Sequence, residues 1–227
     1  MKNAIRRFGL VGAALLGLVA AGSAWAPEAA ADLGVTDPSL PPVSGEWASD
    51  PVAQMLDYGG LVQGYDVHLF DFSNIVRQNV GADERITCDA LLTAIVTSWP
   101  GEPTVVFAGP IEILVFGKAD QTTGTFSAQI LSLDAAAFSM PDVLLRVSPN
   151  PDLTSTGQVT VTDLGGGLWD IDSFFDVYTD LSPDGGQNWL PDLEAVARPG
   201  HRLTLLPEPA TLSLLVLGAA CLLRRRR

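Results

Sequence analysis

The chain has 227 residues, a formal net charge of −13 and 47% hydrophobic residues. That length suits one domain with a substantial core, and the acidic balance excludes nucleic acid and anionic membrane surfaces as partners of the body, because both recruit Lys and Arg. Cys88 is the one cysteine outside the apolar C-terminal run that holds Cys221, which excludes a disulfide-stapled scaffold.

Lys2, Arg6 and Arg7 precede an apolar stretch over 8–21, and small residues follow it. This is the pattern of a secretory signal peptide. Cleavage is expected after Ala26 or Ala31; Pro27 fits poorly into an extended protease substrate, which favours the second site. A signal helix over 1–31 therefore stands apart from the fold, with the Sec export machinery and signal peptidase as its partners.

Residues 32–50 are rich in Pro, Ser and Gly and read as an extended lead-in. The body is expected over 51–206. Within it Pro51 to Tyr58 reads as a short helix and Tyr65 to Phe72 as a strand. Tyr65, Val67, Leu69 and Asp71 share one face of that strand, and Asp66, His68, Phe70 and Phe72 the other. Arg85 to Trp99 fits either an amphipathic helix or a strand pair, and the β-patterned sequence downstream favours strand. Thr104 to Phe107 and Ile111 to Phe116 read as two strands around an Ala108-Gly109-Pro110 turn.

Gly124 to Leu133 alternates, with Phe126, Ala128 and Ile130 on one side, and Val143 to Val147 and Gln158 to Thr162 add further strands. From Trp169 to Leu181 the odd positions are mostly apolar, whereas Asp170, Asp172, Asp176 and Asp180 mark the even face. Leu164 to Leu168, with three glycines, is a hairpin turn joining this strand to the preceding one. His201 to Leu205 is the last strand. The sum is an all-β fold, expected as an antiparallel β-sandwich of jelly-roll or Ig-like type.

The four carboxylates are a weak calcium site, since alternate residues on a strand are ~6.6 Å apart along its axis. No Gly-x-Ser-x-Gly elbow, His-rich or paired-Cys spacing is present. No catalytic residue, metal or cofactor is therefore expected. His68 and His201 each stand alone in a strand, and Cys88 reads as a small buried hydrophobe.

Ser182-Pro183-Asp184-Gly185-Gly186-Gln187-Asn188-Trp189 resembles the Asp-box hairpin motif, with Ser182, Asp184, Gly186 and Trp189 matching and Asn188 where Thr is usual. The resemblance implies a structural brace away from any active site. It occurs once, without the repeats of a propeller.

The C-terminus carries Pro207-Glu208-Pro209, an apolar run over 210–223 and then Arg224, Arg225, Arg226 and Arg227. As a helix that run spans ~21 Å, short against a hydrocarbon core of ~30 Å, and the arginines orient it with the body outside. The arrangement closely resembles the PEP-CTERM sorting signal of exopolysaccharide-producing Gram-negative bacteria, recognised and removed by an exosortase. The stretch from Gly124 to Leu205 also resembles a recurrent PEP-CTERM domain without assigned activity. These resemblances imply a transmembrane helix in 207–227, transient inner-membrane anchoring, exosortase as partner, and release to the cell surface or extracellular space beside exopolysaccharide or biofilm matrix. The expected function is non-enzymatic; the alternative is a carbohydrate-binding or glycan-cleaving β-sandwich module.

Overall fold

The computed structural model describes residues 34–98 and 100–206. Twelve strands follow in chain order: β1 (Glu46–Ala48), β2 (Met55–Tyr58), β3 (Val62–Val80), β4 (Asp83–Val96), β5 (Thr104–Val115), β6 (Gly124–Ala137), β7 (Met140–Val147), β8 (Thr156–Gly165), β9 (Leu168–Val177), β10 (Thr179–Ser182), β11 (Leu190–Pro191) and β12 (His201–Leu206). One short helix, α1 (Leu193–Val196), lies between the last two strands. The pairing closes into an eight-strand antiparallel barrel, which corrects the expected jelly-roll or Ig-like β-sandwich. Alternating strands and short turns are common to both architectures. What separates them is long-range pairing, here β6 with β8 and β1 with both β3 and β12.

Several staves of the barrel are interrupted. β7 and β8 both lie between β6 and the β9–β10 run, β8 pairing the first half of β6 and β7 the second. β11 and β12 both pair the other edge of β9–β10, and β1 and β2 both pair β3. Where β2 faces β11, the join is one isolated bridge, Tyr58 to Asp192. Residues 49–54, 148–155 and 192–200 are thus excursions from staves that continue on either side.

The core alternates inward along each strand, most regularly on β4, where Ile86, Cys88, Ala90, Leu92, Ala94 and Val96 are buried. This resolves Arg85 to Val96 as strand. The odd-position core face expected for 169–181 is present through Ile171, Ser173, Phe175, Val177, Thr179 and Leu181, although Tyr178 separates β9 from β10. The even positions carry Asp170, Asp172 and Asp176 outward, whereas Asp180, expected on the same solvated face, is 7% exposed.

Other expectations are corrected. Pro51 to Tyr58 ends in β2 rather than forming a helix, because Met55–Tyr58 pairs with Val62–Tyr65 across a Gly59–Gly60 turn. Ala108-Gly109-Pro110 is not a turn; β5 runs through it, paired with β4 on one side and, around it, with β6 on the other. The faces expected for Tyr65 to Phe72 hold for Val67 and Leu69 and then invert, with Phe72 buried. Register shifts occur along β3 between Tyr65 and Val76, and Asp66, Asp71 and Asn74 adopt left-handed backbone there, which Asp and Asn tolerate better than most residues.

The lead-in contributes β1 and buries Leu40 at 3% exposure against the core. Among the described residues no helix is long and apolar enough to cross a membrane. The signal helix over 1–31 and the transmembrane helix expected in 207–227 fall outside the described residues.

Candidate functional site

The inside of an eight-strand barrel is either filled by side chains or left open for one small ligand. Here it is filled. Two apolar spaces of about 40 and 30 Å³ remain along the axis, sharing Leu56, Tyr58, Leu92 and Leu145 as walls. Each is well below the ~300–1,000 Å³ that a drug-sized ligand occupies.

Several of the buried polar residues lie where the interrupted staves meet. Tyr58 and Thr179 share a 2.8 Å hydrogen bond between their hydroxyls. Burial, with the charge of Asp192 beside it, pushes the Tyr58 phenol well above its ordinary range against the opposing hydrogen bond of Thr179. Asp192 is 1% exposed. Its Oδ1 accepts the amide N–H of Asp57 at 3.0 Å and that of Glu194 at 3.2 Å, capping α1. Burial raises the Asp192 carboxyl to about 6, although the Asp57, Ala195 and Glu194 amides pull it down. His201, 6% exposed, lines the smaller space with Tyr58 and Thr179. Burial, helped by the charge of Arg198, lowers its imidazole to about 4. Asp192 Oδ2 and His201 Nε2 have no hydrogen-bond partner among the described residues.

The sequence pointed to His201 only as a lone strand histidine and did not single out Tyr58 or Asp192. Asp192 carried one readable signal, an Asp just before a helical turn. The Tyr58–Thr179 pair had none, being 121 residues apart in the chain. Cys88 lies in the core with its thiol pushed up to about 11 by burial and by neighbouring Asp89, which makes it a poor nucleophile.

The Asp-box-like turn follows β10. Ser182 Oγ donates to Asp184 Oδ1 at 2.9 Å and accepts the Gly186 amide at 2.8 Å. Asp184 accepts both the side-chain and the backbone N–H of Asn188, which hold its carboxyl below the usual range. Trp189 Nε1 donates to Gly186 O at 3.1 Å. Arg146 lies 3.8 Å over the Trp189 ring while pairing with Asp180 at 3.2 Å, and Arg202 likewise covers Phe174 at 4.2 Å. Neither ring offers both faces for sugar stacking.

The four even-face acids do not act together. Asp176 pairs with Arg202 at 2.7 Å and Asp180 with Arg146. All six described cations are engaged: Arg77 donates to Leu40 O at 2.6 Å, and Arg85, Lys118 and Arg198 pair with Glu112, Glu84 and Glu194.

His68 on β3 sits between Glu46 of β1, in a very short contact, and Asp66 at 3.1 Å. Burial pulls its imidazole down, but the hydrogen bonds and charges of Glu46 and Asp66 outweigh it, so the net direction is upward from 6.5. In an NMR titration His68 is expected to protonate above the ordinary histidine range, and Glu46→Gln to bring the midpoint down. A folded-state value above the unfolded one means the contribution to stability is complete below the unfolded midpoint and is lost as pH rises through the folded one. A midpoint indifferent to Glu46→Gln would refute the contact.

The sorting residues Pro207, Glu208 and Pro209 and the cluster Arg224–Arg227 lie outside the described residues. No family model, curated protein or solved structure matches the chain.

Proposed function

We propose that this is an exported protein sorted by an exosortase, whose mature barrel is non-enzymatic and resides at the cell surface or in the extracellular matrix beside exopolysaccharide. One observation carries the reading: Pro207-Glu208-Pro209, an apolar run and four terminal arginines follow the last strand, and a signal-peptide pattern opens the chain. β12 ends at Leu206, so removal of everything after it leaves every described strand of the barrel in place. An acidic exterior whose described cations are all engaged suits solubility beside neutral polymer rather than binding to polyanions. The small volume of the two apolar spaces favours a structural body over a sugar-processing one.

The test is processing in cells. Wild-type protein is expected to lose its tail and leave the membrane fraction, whereas Glu208→Ala is expected to accumulate there at full length. Identical processing of the two would refute exosortase sorting. Co-sedimentation of the processed protein with polysaccharide from the same cells checks the matrix assignment, and its absence would overturn that part.

A further inference from the structure

The strand directions bring the end of the last strand to one rim of the barrel. β1 is antiparallel to both β3 and β12, and β12 is antiparallel to β9, so β3 and β12 run toward the rim at which β9 begins. Three turns stand on that rim: 81–82 between β3 and β4, 116–123 between β5 and β6, and 166–167 between β8 and β9. Each presents large apolar side chains beside glycine. Val80 precedes Gly81, Phe116 precedes Gly117, and Leu164 and Leu168 flank Gly165–Gly167; these four side chains are between 36% and 50% exposed. A Cβ added at any of these glycines would meet nothing within 4 Å, so the turns project clear of the rest of the protein.

The place where the chain leaves decides what such turns can meet. Thr204 lies opposite Phe174 in an antiparallel pair, which puts Leu206 level with Asp172, four residues short of Leu168. At ~3.3 Å per residue the β8–β9 hairpin therefore reaches ~13 Å beyond Leu206. Only Pro207, Glu208 and Pro209 separate Leu206 from the apolar run that starts at Ala210. Fully extended, that linker carries the chain ~14 Å at most. The run thus begins no farther out than the hairpin tip. A headgroup layer is only ~5–8 Å thick, so a bilayer that takes in the run from its start also receives the tip.

We propose, resting on the reading that 210–223 enters the inner membrane, that this rim is a docking surface for a zwitterionic lipid headgroup layer, which it contacts through Val80, Phe116, Leu164 and Leu168 until the tail is removed. Asp83, Asp120 and Asp163 stand among the same turns and repel anionic lipid, so the contact is apolar rather than electrostatic. The tether holds the rim against the bilayer at high effective concentration. A contact too weak to retain the free barrel persists while the tail is attached and is lost on cleavage. Leu61 and Phe138 are also exposed at the opposite rim, but the chain does not leave for the apolar run there.

The test uses the full-length chain in phosphatidylcholine vesicles. Cys221→Ser leaves Cys88, which is buried, and an environment-sensitive fluorophore is attached in turn at Leu164→Cys, Leu168→Cys and, on the opposite rim, Phe138→Cys. With nitroxide carried on the lipid headgroups, emission from 164 and from 168 is expected to be blue-shifted and to lose most of its intensity, and emission from 138 to do neither. Loss at 164 and 168 no greater than at 138, in protein that floats with the vesicles, would overturn docking and leave the anchored tail standing. Protein that does not float would overturn the anchoring and docking with it. A blue shift at 164 and 168 without nitroxide quenching would mean that a second copy of the chain covers the rim, which also overturns the lipid contact. Two labelled positions on one hairpin keep the result decisive if either variant fails to fold.

Discussion

Gly109→Ala is expected to destabilise the barrel by about 3 kcal/mol, lowering the melting temperature by roughly 6–12 °C for a domain of this size. Gly109 lies inside β5, where the backbone of β6 passes directly over it. A Cβ at this position would overlap the Asp134 carbonyl oxygen and stand 2.7 Å from Ala135 Cα. Backbone cannot turn aside as a side chain can, so one of two central strands must shift. Gly81→Ala is the control. It caps the β3–β4 hairpin, where an added Cβ meets nothing within 4 Å and only the left-handed backbone, φ +67°, opposes it. That conformation costs about 1–2 kcal/mol for a residue with a Cβ. Thermal melts of the two variants should therefore differ clearly, and a Gly109→Ala protein as stable as wild type would mean that β5 and β6 are not in this register.

Trp47→Ala is expected to cost about 3–5 kcal/mol. β1 is three residues long and joins β3 to β12, so closure of that side depends on what its few side chains bury. Trp47 is 2% exposed, meets Phe72 edge-on at 5.2 Å and Phe175 at 6.2 Å, and donates its indole N–H to Ser173 Oγ at 3.2 Å. Trp47→Phe keeps most of the apolar contact and loses that hydrogen bond, at about 1 kcal/mol. Urea denaturation separates the two variants. A loss under about 1 kcal/mol for Trp47→Ala would show that β1 is not part of the stable barrel.

Much of the strand content could be read from local pattern. The alternation in 169–181 places its odd residues inward, because one face of a strand must leave water. The Asp-box-like turn at Ser182 to Trp189 also forms locally, through hydrogen bonds that span four residues or fewer. Reading failed where an element's residues answer to distant partners. Gly109 and Pro110 have turn composition, yet the glycine serves a close approach of β6. Phe72 breaks a two-residue period because Asp71 takes a left-handed conformation inside the strand, and a period-two reading has no place for an extra residue.

The buried polar seam was the least legible part. Tyr58, Thr179, Asp192 and His201 come from β2, β10, the edge of α1 and β12. Separately they read as a strand-end tyrosine, a threonine, a helix cap and a lone histidine. Tyr58 meets Asp192 only at the bridge between β2 and the end of β11, and meets Thr179 only through the hydrogen bond of their hydroxyls.

The sequence by itself determined the all-β character, the inward face of the longest alternating run and the acidity of the body, because each depends on residues close together in the chain. Only the tertiary structure decided that the strands close into a barrel rather than two stacked sheets, and that Asp192 and His201 are each buried. Closure rests on pairings such as Glu46 with Leu206 and Gly124 with Val161, and no local period encodes which distant edge a strand will meet.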